Sequence, residues 1–300
     1  MIRDRAETGP HMGTGAQVWH RRRVLRVAGA RLLDDRDRAG VRAALEADPV
    51  AACMVAARIE VAGLDPWRLG GELWAVGPRL DALCFSGANL VPLRGERSAL
   101  RSFADRARRH GRGCSSLVGR AELVLPLWDE LAPAWAPARE VRPDQPLMVL
   151  AGPPTITPDP LVRPVRPDEI DAYLPAAVAM FTEEVGVDPR AGDGGAGYRA
   201  RVAELVSAGR AFARFEDGQV VFKAEIGALS SQVGQIQGVW VHPSKRGLGL
   251  GTTGTAAVAA RLAALGRISS LYVNGFNHVA RSVYTKIGFT QVASFATVLF

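Results

Sequence analysis

The sequence predicts an α/β protein in which a mixed, mostly antiparallel sheet flanked by helices occurs twice in tandem. Two observations predict this fold. The second half reads in the order βααβββαβαβ, and the first half has a similar order. The length of 300 residues agrees, because it exceeds the usual size of one domain. We therefore interpret the halves as a diverged internal duplication.

The second half shows its elements most clearly. An extended run at 162–166 precedes a helix that begins at Pro167, and Gly209 ends a second helix that begins at Tyr198. An Asp-Gly pair at 217–218 indicates a turn between two strands. Strands are predicted at 211–215, 220–228, 234–241, 271–273 and 292–300, and helices at 251–265 and 280–287.

The first half has the same kinds of element with weaker patterns. Its predicted helices are 38–47, 50–61, 98–110 and 122–131, and its extended segments are 24–27, 73–76, 83–85, 90–93 and 116–118. Residues 1–17 are predicted to be a flexible tail.

Prolines indicate where the halves meet. The segment 142–167 contains eight prolines, and proline removes backbone donors and restricts the preceding residue. We interpret it as a connector that includes an extended piece at 147–151, with a boundary near residue 155. The predicted domains are thus 18–155 and 156–300.

Composition and missing motifs exclude several classes. No long apolar run predicts a membrane span, and the charged N-terminus is not a secretory signal, so we expect a cytoplasmic protein. Three isolated cysteines and five scattered histidines predict buried thiols and no metal site. The commonest hydrolase, P-loop and zinc-protease motifs are absent.

The informative segment is a strand that runs through a glycine-rich turn into a long helix, over 235–254. Such a turn lets backbone amides approach a phosphate at the helix N-terminus. The glycines at 249, 251 and 254 also fit the dinucleotide fingerprint, which expects an acidic residue about 20 positions later. No acidic residue follows Glu225, so this alternative is disfavoured.

Two motifs carry a family resemblance. The first is Arg246-x-x-Gly249-x-Gly251, preceded by Val239-x-Val241-x-Pro243, and the second is Asn277-x-x-Ala280-x-x-x-Tyr284-x-x-x-Gly288-Phe289. Together they resemble the acyl-CoA loop and the downstream motif of the GNAT (GCN5-related N-acetyltransferase) superfamily. The resemblance covers about residues 160–300. The first half resembles, less closely, the diverged GNAT-like domain that precedes some GNAT modules.

The resemblance implies a role for each matching residue. The strand would pair with pantetheine, the loop amides would hold the pyrophosphate, and Tyr284 would protonate the departing thiolate. Asn277 would touch the cofactor, or cap the helix that follows it. The implied cofactor-binding residues are Val239, Trp240, Val241, Arg246, Gly247, Leu248, Gly249, Leu250, Gly251, Thr252 and Asn277.

One departure from the family concerns the general base. Many GNAT enzymes have a glutamate where this chain has Gln235, which cannot accept a proton usefully. Glu225, on the preceding strand, is our first candidate for the base, and its alternative is an exposed carboxylate paired with Lys223 or with an arginine. Glu183 and Glu184 are tentative ligands for a cationic acceptor, or equally a solvated helix end.

The functional prediction is an N-acetyltransferase that moves acetyl from acetyl-CoA to a primary amine by direct attack in a ternary complex, without a metal. A non-catalytic acyl-CoA sensor or scaffold is the alternative. The net charge of +7 first suggests nucleic acid, but no groove-reading motif supports it. Because residues 226–300 carry six basic residues and no acidic one, we assign the basicity to the phosphates of coenzyme A. The first half lacks a matching loop and is expected to bind no acyl-CoA. The acceptor and the oligomeric state stay open.

Overall fold

The computed structural model describes residues 29–191 and 193–300. The predicted tail at 1–17 and the extended segment at 24–27 lie outside these residues. No described helix is long and apolar enough to cross a membrane.

The first half contains six strands and five helices in the described residues. Its strands are β1 (Arg31–Leu32), β2 (Gly71–Val76), β3 (Ala82–Gly87), β4 (Asn89–Arg94), β5 (Ser116–Arg120) and β6 (Glu140–Leu150). Its helices are α1 (Arg38–Glu46), α2 (Pro49–Ala62), α3 (Pro66–Leu69), α4 (Arg97–His110) and α5 (Ala121–Leu131). The short helix α3 was not predicted.

The described part of the second half contains six strands and four helices, in the predicted order. Its strands are β7 (Arg163–Pro164), β8 (Ala211–Glu216), β9 (Gln219–Leu229), β10 (Val233–Val241), β11 (Ile268–Tyr272) and β12 (Thr290–Leu299). Its helices are α6 (Ile170–Val185), α7 (Ala196–Ser207), α8 (Leu250–Ala264) and α9 (His278–Ile287). Apart from α3, the first half repeats this order element by element, which confirms the tandem arrangement.

All twelve strands form one sheet, in the order β1-β2-β3-β4-β5-β12-β6-β11-β10-β9-β8-β7. The last strand of each half therefore pairs with a strand of the other half: β12 pairs with β5, and β6 pairs with β11. The two exchanged strands pair with each other at the centre of the sheet. The pairs β4–β5 and β10–β11 are parallel, and the other neighbours are antiparallel. The boundary near residue 155 stays a prediction, since the halves share strands.

The proline-rich segment differs from the predicted connector. Its first part belongs to β6, a central strand, and the linker is confined to residues 151–162, between β6 and β7. Pro143 is accommodated because the register with β12 shifts between Phe295 and Thr297, which leaves this part of β6 outside the regular ladder. Pro146 still offers its carbonyl, which accepts a hydrogen bond from the Val273 N–H (3.2 Å).

The helices of the second half cover both faces of its sheet. Side chains of α8 and α9 form one apolar cluster with Phe222 and Ile236. On the opposite face α6 and α7 cover β8 and β9, with Tyr173 and Trp240 in their cluster. The first-half helix α2 packs against β9 and β10, where Cys53 contacts Ala228 and Val233. The three cysteines are buried free thiols, as predicted.

Candidate active site

The strands β10 and β11 diverge and leave an opening in the sheet. Their parallel pairing ends at Gln235 and Ser270, although β10 continues to Val241. The edge of β10 beyond Gln235 therefore has no strand partner on that side within the described residues. An unpaired strand edge presents backbone donors and acceptors to any extended ligand.

A bulge interrupts β10 beside this opening. Gln237 pairs with Glu225 and Trp240 pairs with Lys223, so Gly238 and Val239 together face one residue of β9. Gly238 has a φ of +59°, a conformation that favours glycine. As a result Val239 and Val241 turn to the α8 face, and Trp240 lies on the α6 face. Gln237 shares that face, because it pairs with Glu225, which bonds to Tyr173 of α6.

The glycine-rich loop continues from the open edge of β10. Gly247 and Gly249 have φ values of +81° and +82°, and a Cβ on either would meet no atom within 4 Å. Within the described chain, the N–H groups of 247–251 donate to no acceptor, whereas those of Thr252 and Thr253 bond to the Gly249 carbonyl. Five neighbouring donors at a helix N-terminus suit a phosphate.

Tyr284 lies on α9 and belongs to the apolar cluster beneath α8. It is buried, with its ring against that of Phe289 at 6.1 Å between centroids. Its hydroxyl has no hydrogen-bond partner among the described side chains. Burial, and secondarily the Glu184 carboxylate, raise the pKa of Tyr284, which keeps the phenol protonated.

Glu184 lies at the end of α6, close enough to Tyr284 for its carboxylate to influence the pKa of the phenol. Solvent reaches its side chain, yet surrounding protein raises its pKa, and the charges of Arg142 and Lys223 oppose that rise. Arg142 fixes this helix end by donating to the Glu184 main-chain carbonyl (2.8 Å). Surrounding protein, and secondarily the Glu184 carboxylate, raises the pKa of the partly exposed Tyr272 to about 12. A carboxylate with a raised pKa therefore accompanies two protonated phenols.

Two parts of the chain match known protein families. Residues 221–298 match the family model described as FR47-like protein, and residues 71–173 match a domain of unknown function, DUF4081. No curated protein matches the chain. A solved Drosophila protein is 12% identical over 90% of this chain and 98% of its own, with a TM-score of 0.64.

Two further structures are named for their family. A GNAT-family acetyltransferase from Colwellia psychrerythraea is 11% identical, covers 91% of this chain and 100% of its own, and has a TM-score of 0.53. A GCN5-related N-acetyltransferase from Kribbella flavida is 16% identical over 82% of this chain and 95% of its own, with a TM-score of 0.51. The chain is a tandem GNAT-fold protein.

The first half of this tandem GNAT-fold protein lacks an equivalent opening. Its strands β4 and β5 are also parallel, but a Cβ at Gly119 would lie 3.2 Å from the Pro92 carbonyl oxygen, so they stay in contact beyond their last pair. Glu96 occupies the N-cap of α4 and adds a negative charge at this helix N-terminus, which is unfavourable for a phosphate. Both features disfavour an acyl-CoA site there.

The predicted base Glu225 is not free to accept a proton. It is buried, and its Oε1 accepts hydrogen bonds from Lys223 Nζ (2.7 Å) and from the Tyr173 hydroxyl (3.1 Å). Burial alone would raise the pKa of Glu225, but Lys223 and Tyr173 outweigh burial and lower it. This environment disfavours the base role.

Glu183 also has a different environment from the one predicted. Its two oxygens accept hydrogen bonds from Trp240 Nε1 (3.1 Å) and Arg246 (2.7 Å), so it ties α6 to the loop instead of facing an acceptor. The Trp240 side chain is held in this contact. Asn277 caps α9 through a hydrogen bond from the Ala280 N–H (3.0 Å).

The sequence reasoning missed three features of this site. Gly238 forms the bulge, Arg142 reaches the end of α6 from a strand of the first half, and Lys223 is fully buried beside Glu225. The Lys-x-Glu spacing on a strand was a usable signal, since residues two apart share a face. Among the described residues, no group of His, Cys, Asp or Glu is arranged to hold a metal ion.

We expect Glu184 to make the stability of the protein depend on pH. Its folded pKa is raised above its ordinary value of 4.5, so its contribution is present below that value and is lost as the pH rises through the folded pKa. We expect Glu184→Gln to have a higher Tm than the wild type at pH 7 and a similar Tm at pH 4, measured by thermal unfolding. The neighbouring variant Glu183→Gln, which disturbs two hydrogen bonds, should lower Tm at both pH values. An equal Tm difference for Glu184→Gln at both pH values would contradict the raised pKa.

Proposed function

We propose that the protein is an N-acetyltransferase that moves an acetyl group from acetyl-CoA to a primary amine within a ternary complex. The observation that carries the proposal is the open edge of β10, which leads through the bulge to the unpaired N–H groups of 247–251. Pantetheine would pair along this edge, and the pyrophosphate would bind the loop. The names of the GNAT structures similar in fold support the same reaction class.

Transfer proceeds by direct attack. The amine nitrogen forms a bond to the acetyl carbon, and the C=O π pair moves onto oxygen, where backbone N–H groups of the bulge would stabilise it. Collapse breaks the C–S bond, and its electron pair leaves on sulfur, which takes the proton of Tyr284. The proton that the new amide nitrogen loses passes to Glu184. Exchange with solvent then restores both side chains.

We propose Glu184 instead of Glu225 as the base. A base works best with a pKa near the working pH, and surrounding protein raises the pKa of Glu184 whereas Lys223 and Tyr173 lower that of Glu225. Glu184 is also open to solvent, so an amine can reach it.

Thiol release tests the proposed activity. Purified protein with acetyl-CoA and a panel of small amines, aminoglycosides and peptides should release free coenzyme A with at least one acceptor. If no acceptor is acetylated while acetyl-CoA still raises Tm, the transferase proposal fails.

The pH profile tests the base. Glu184→Gln should lower kcat/KM by about 10²–10⁴-fold, the usual contribution of a general base, and should remove the fall in rate toward acid pH. The control Glu183→Gln should retain that fall. A Glu184→Gln enzyme with an unchanged acid limb would assign the proton to another group.

A non-catalytic acyl-CoA sensor is the second candidate. Gln235 occupies the usual glutamate position and is buried, which favours binding without turnover. Acetyl-CoA binding without transfer to any amine would support this candidate. A cytoplasmic location and independence of nucleic acid stay predictions.

A further inference from the structure

A buried charge network lies directly beneath the bulge of β10. Lys223 has no solvent exposure and Glu225 only 4%. The Lys223 ammonium group donates to Glu225 Oε1 (2.7 Å) and lies 5.5 Å from the centre of the Tyr173 ring, whose hydroxyl donates to the same oxygen (3.1 Å). The three side chains thus form a closed group between β9 and α6.

Gly238 rests on this group. A Cβ at Gly238 would lie 3.1 Å from Lys223 Nζ and 3.6 Å from Glu225 Oε2. It would also lie 3.0 Å from the terminal carbon of Met180, on α6. The positive charge is therefore placed immediately behind the backbone of the bulge, with no room for any larger residue between them.

Stability does not explain why the pair is ionic. Taking two charges out of water is expensive, and well-packed apolar residues of similar volume are often as stable or more stable. A buried ion pair in a low-dielectric region nevertheless exerts a strong local field. The pair lies beside the open edge of β10, so its field acts on any ligand bound along that edge.

We propose that Lys223 is a positioning residue for acyl transfer: held by Glu225 and Tyr173, it fixes the Gly238–Val239 bulge and adds positive charge behind the backbone that faces the acyl carbonyl. This inference rests on the proposed function, because the bulge is where the thioester would bind. The charge favours the state in which the carbonyl oxygen has gained the C=O electron pair. It also polarises the bound thioester before attack.

Comparing a single variant with a double variant separates the electrostatic effect of the ion pair on catalysis from its effect on folding. Lys223→Met alone leaves a buried carboxylate without its partner and should lower Tm strongly. The double variant Lys223→Met with Glu225→Leu removes both charges and should recover most of that Tm. We expect the double variant to keep the wild-type affinity for coenzyme A. It should lose about 10- to 100-fold in kcat, somewhat less than removal of a direct oxyanion donor.

The ratio of acetyl-CoA to coenzyme A affinity, measured by calorimetry, gives a second result that needs no amine. This ratio should fall in the double variant, because only acetyl-CoA has the carbonyl. As a control, Arg106→Met with Glu72→Leu removes an ion pair of the first half (3.1 Å) and should change neither kcat nor the ratio. A double variant of Lys223 and Glu225 with wild-type kcat and ratio would overturn the proposal.

Two further outcomes also test the proposal: a double variant that does not fold, and a wild type that lacks transfer or binding. If the double variant does not fold, Tyr173→Phe removes only the hydroxyl that orients Glu225, and it should lower both kcat and the ratio in a folded protein; unchanged values overturn the proposal. If the wild type binds acetyl-CoA but acetylates nothing, the transferase function fails while the affinity ratio still tests Lys223. If the wild type binds neither thioester nor coenzyme A, both proposals fail.

Discussion

Tyr284→Phe should lower kcat by about 10²–10⁴-fold, the range typical of a lost general acid, and leave Tm and coenzyme A affinity unchanged. The hydroxyl has no hydrogen-bond partner among the described side chains, and the ring, which Phe retains, makes the apolar contacts. Burial keeps the phenol protonated, so it can donate when the thiolate leaves. Steady-state thiol release and thermal unfolding measure the two effects.

Tyr272 provides the matched control for this variant. Surrounding protein and Glu184 likewise raise its pKa, to about 12, but Tyr272 follows Leu271 on β11 and therefore lies on the sheet face opposite the cluster that contains Leu271 and Tyr284. Tyr272→Phe should therefore affect kcat much less than Tyr284→Phe. If the two effects are reversed, the proton comes from Tyr272, and if neither variant is slower, no phenol acts as the acid.

Gly249→Val should weaken coenzyme A binding about 10²–10⁴-fold while the protein still folds. The φ of +82° strains any other residue by about 1–3 kcal/mol, and a side chain would fill the open space beside the N–H groups of 247–251. Loss of two charge-assisted hydrogen bonds, at about 1.5–3 kcal/mol each, lowers affinity about 10²–10⁴-fold. Calorimetry with coenzyme A measures the loss.

Gly266→Val controls for the strain. Gly266 has a φ of +66° and equally open surroundings, but it follows the other end of α8. The Gly266→Val variant should therefore lose about as much Tm as Gly249→Val but bind coenzyme A with wild-type affinity. Intact binding by the Gly249 variant would show that the loop does not hold the cofactor.

Much of the fold could be predicted because local patterns determine it. The periodic apolar positions, the Asp217-Gly218 turn and the glycine that ends each of several helices place nearly every element of the second half. The pairing partners of β6 and β12 could not be predicted, because sheet order depends on contacts between residues far apart in the chain. Two prolines hid β6 for a physical reason: a central strand tolerates Pro143 only where a register shift releases it from the ladder.

The part of the site that consists of backbone groups could be predicted. The glycine spacing located the loop, because positive φ values and close approach of a ligand both require glycine. No sequence pattern indicated which carboxylate has the environment of a base. Glu225 and Glu184 differ in their surroundings: Lys223 and Tyr173 contact Glu225, whereas Glu184 is exposed to solvent. Only the packing of α6 against β9 brings the neighbours of Glu225 together.

The reciprocal exchange of β6 and β12 has a consequence for synthesis on the ribosome. The edge of β5 pairs only with the last strand of the second half. The sheet of the first half therefore stays incomplete, with the β5 edge unpaired, until β12 has been translated. Contacts of such long sequence separation slow folding and prolong the exposure of an unpaired edge. Two halves that look like independent repeats are thus obliged to reach the native state as one cooperative unit.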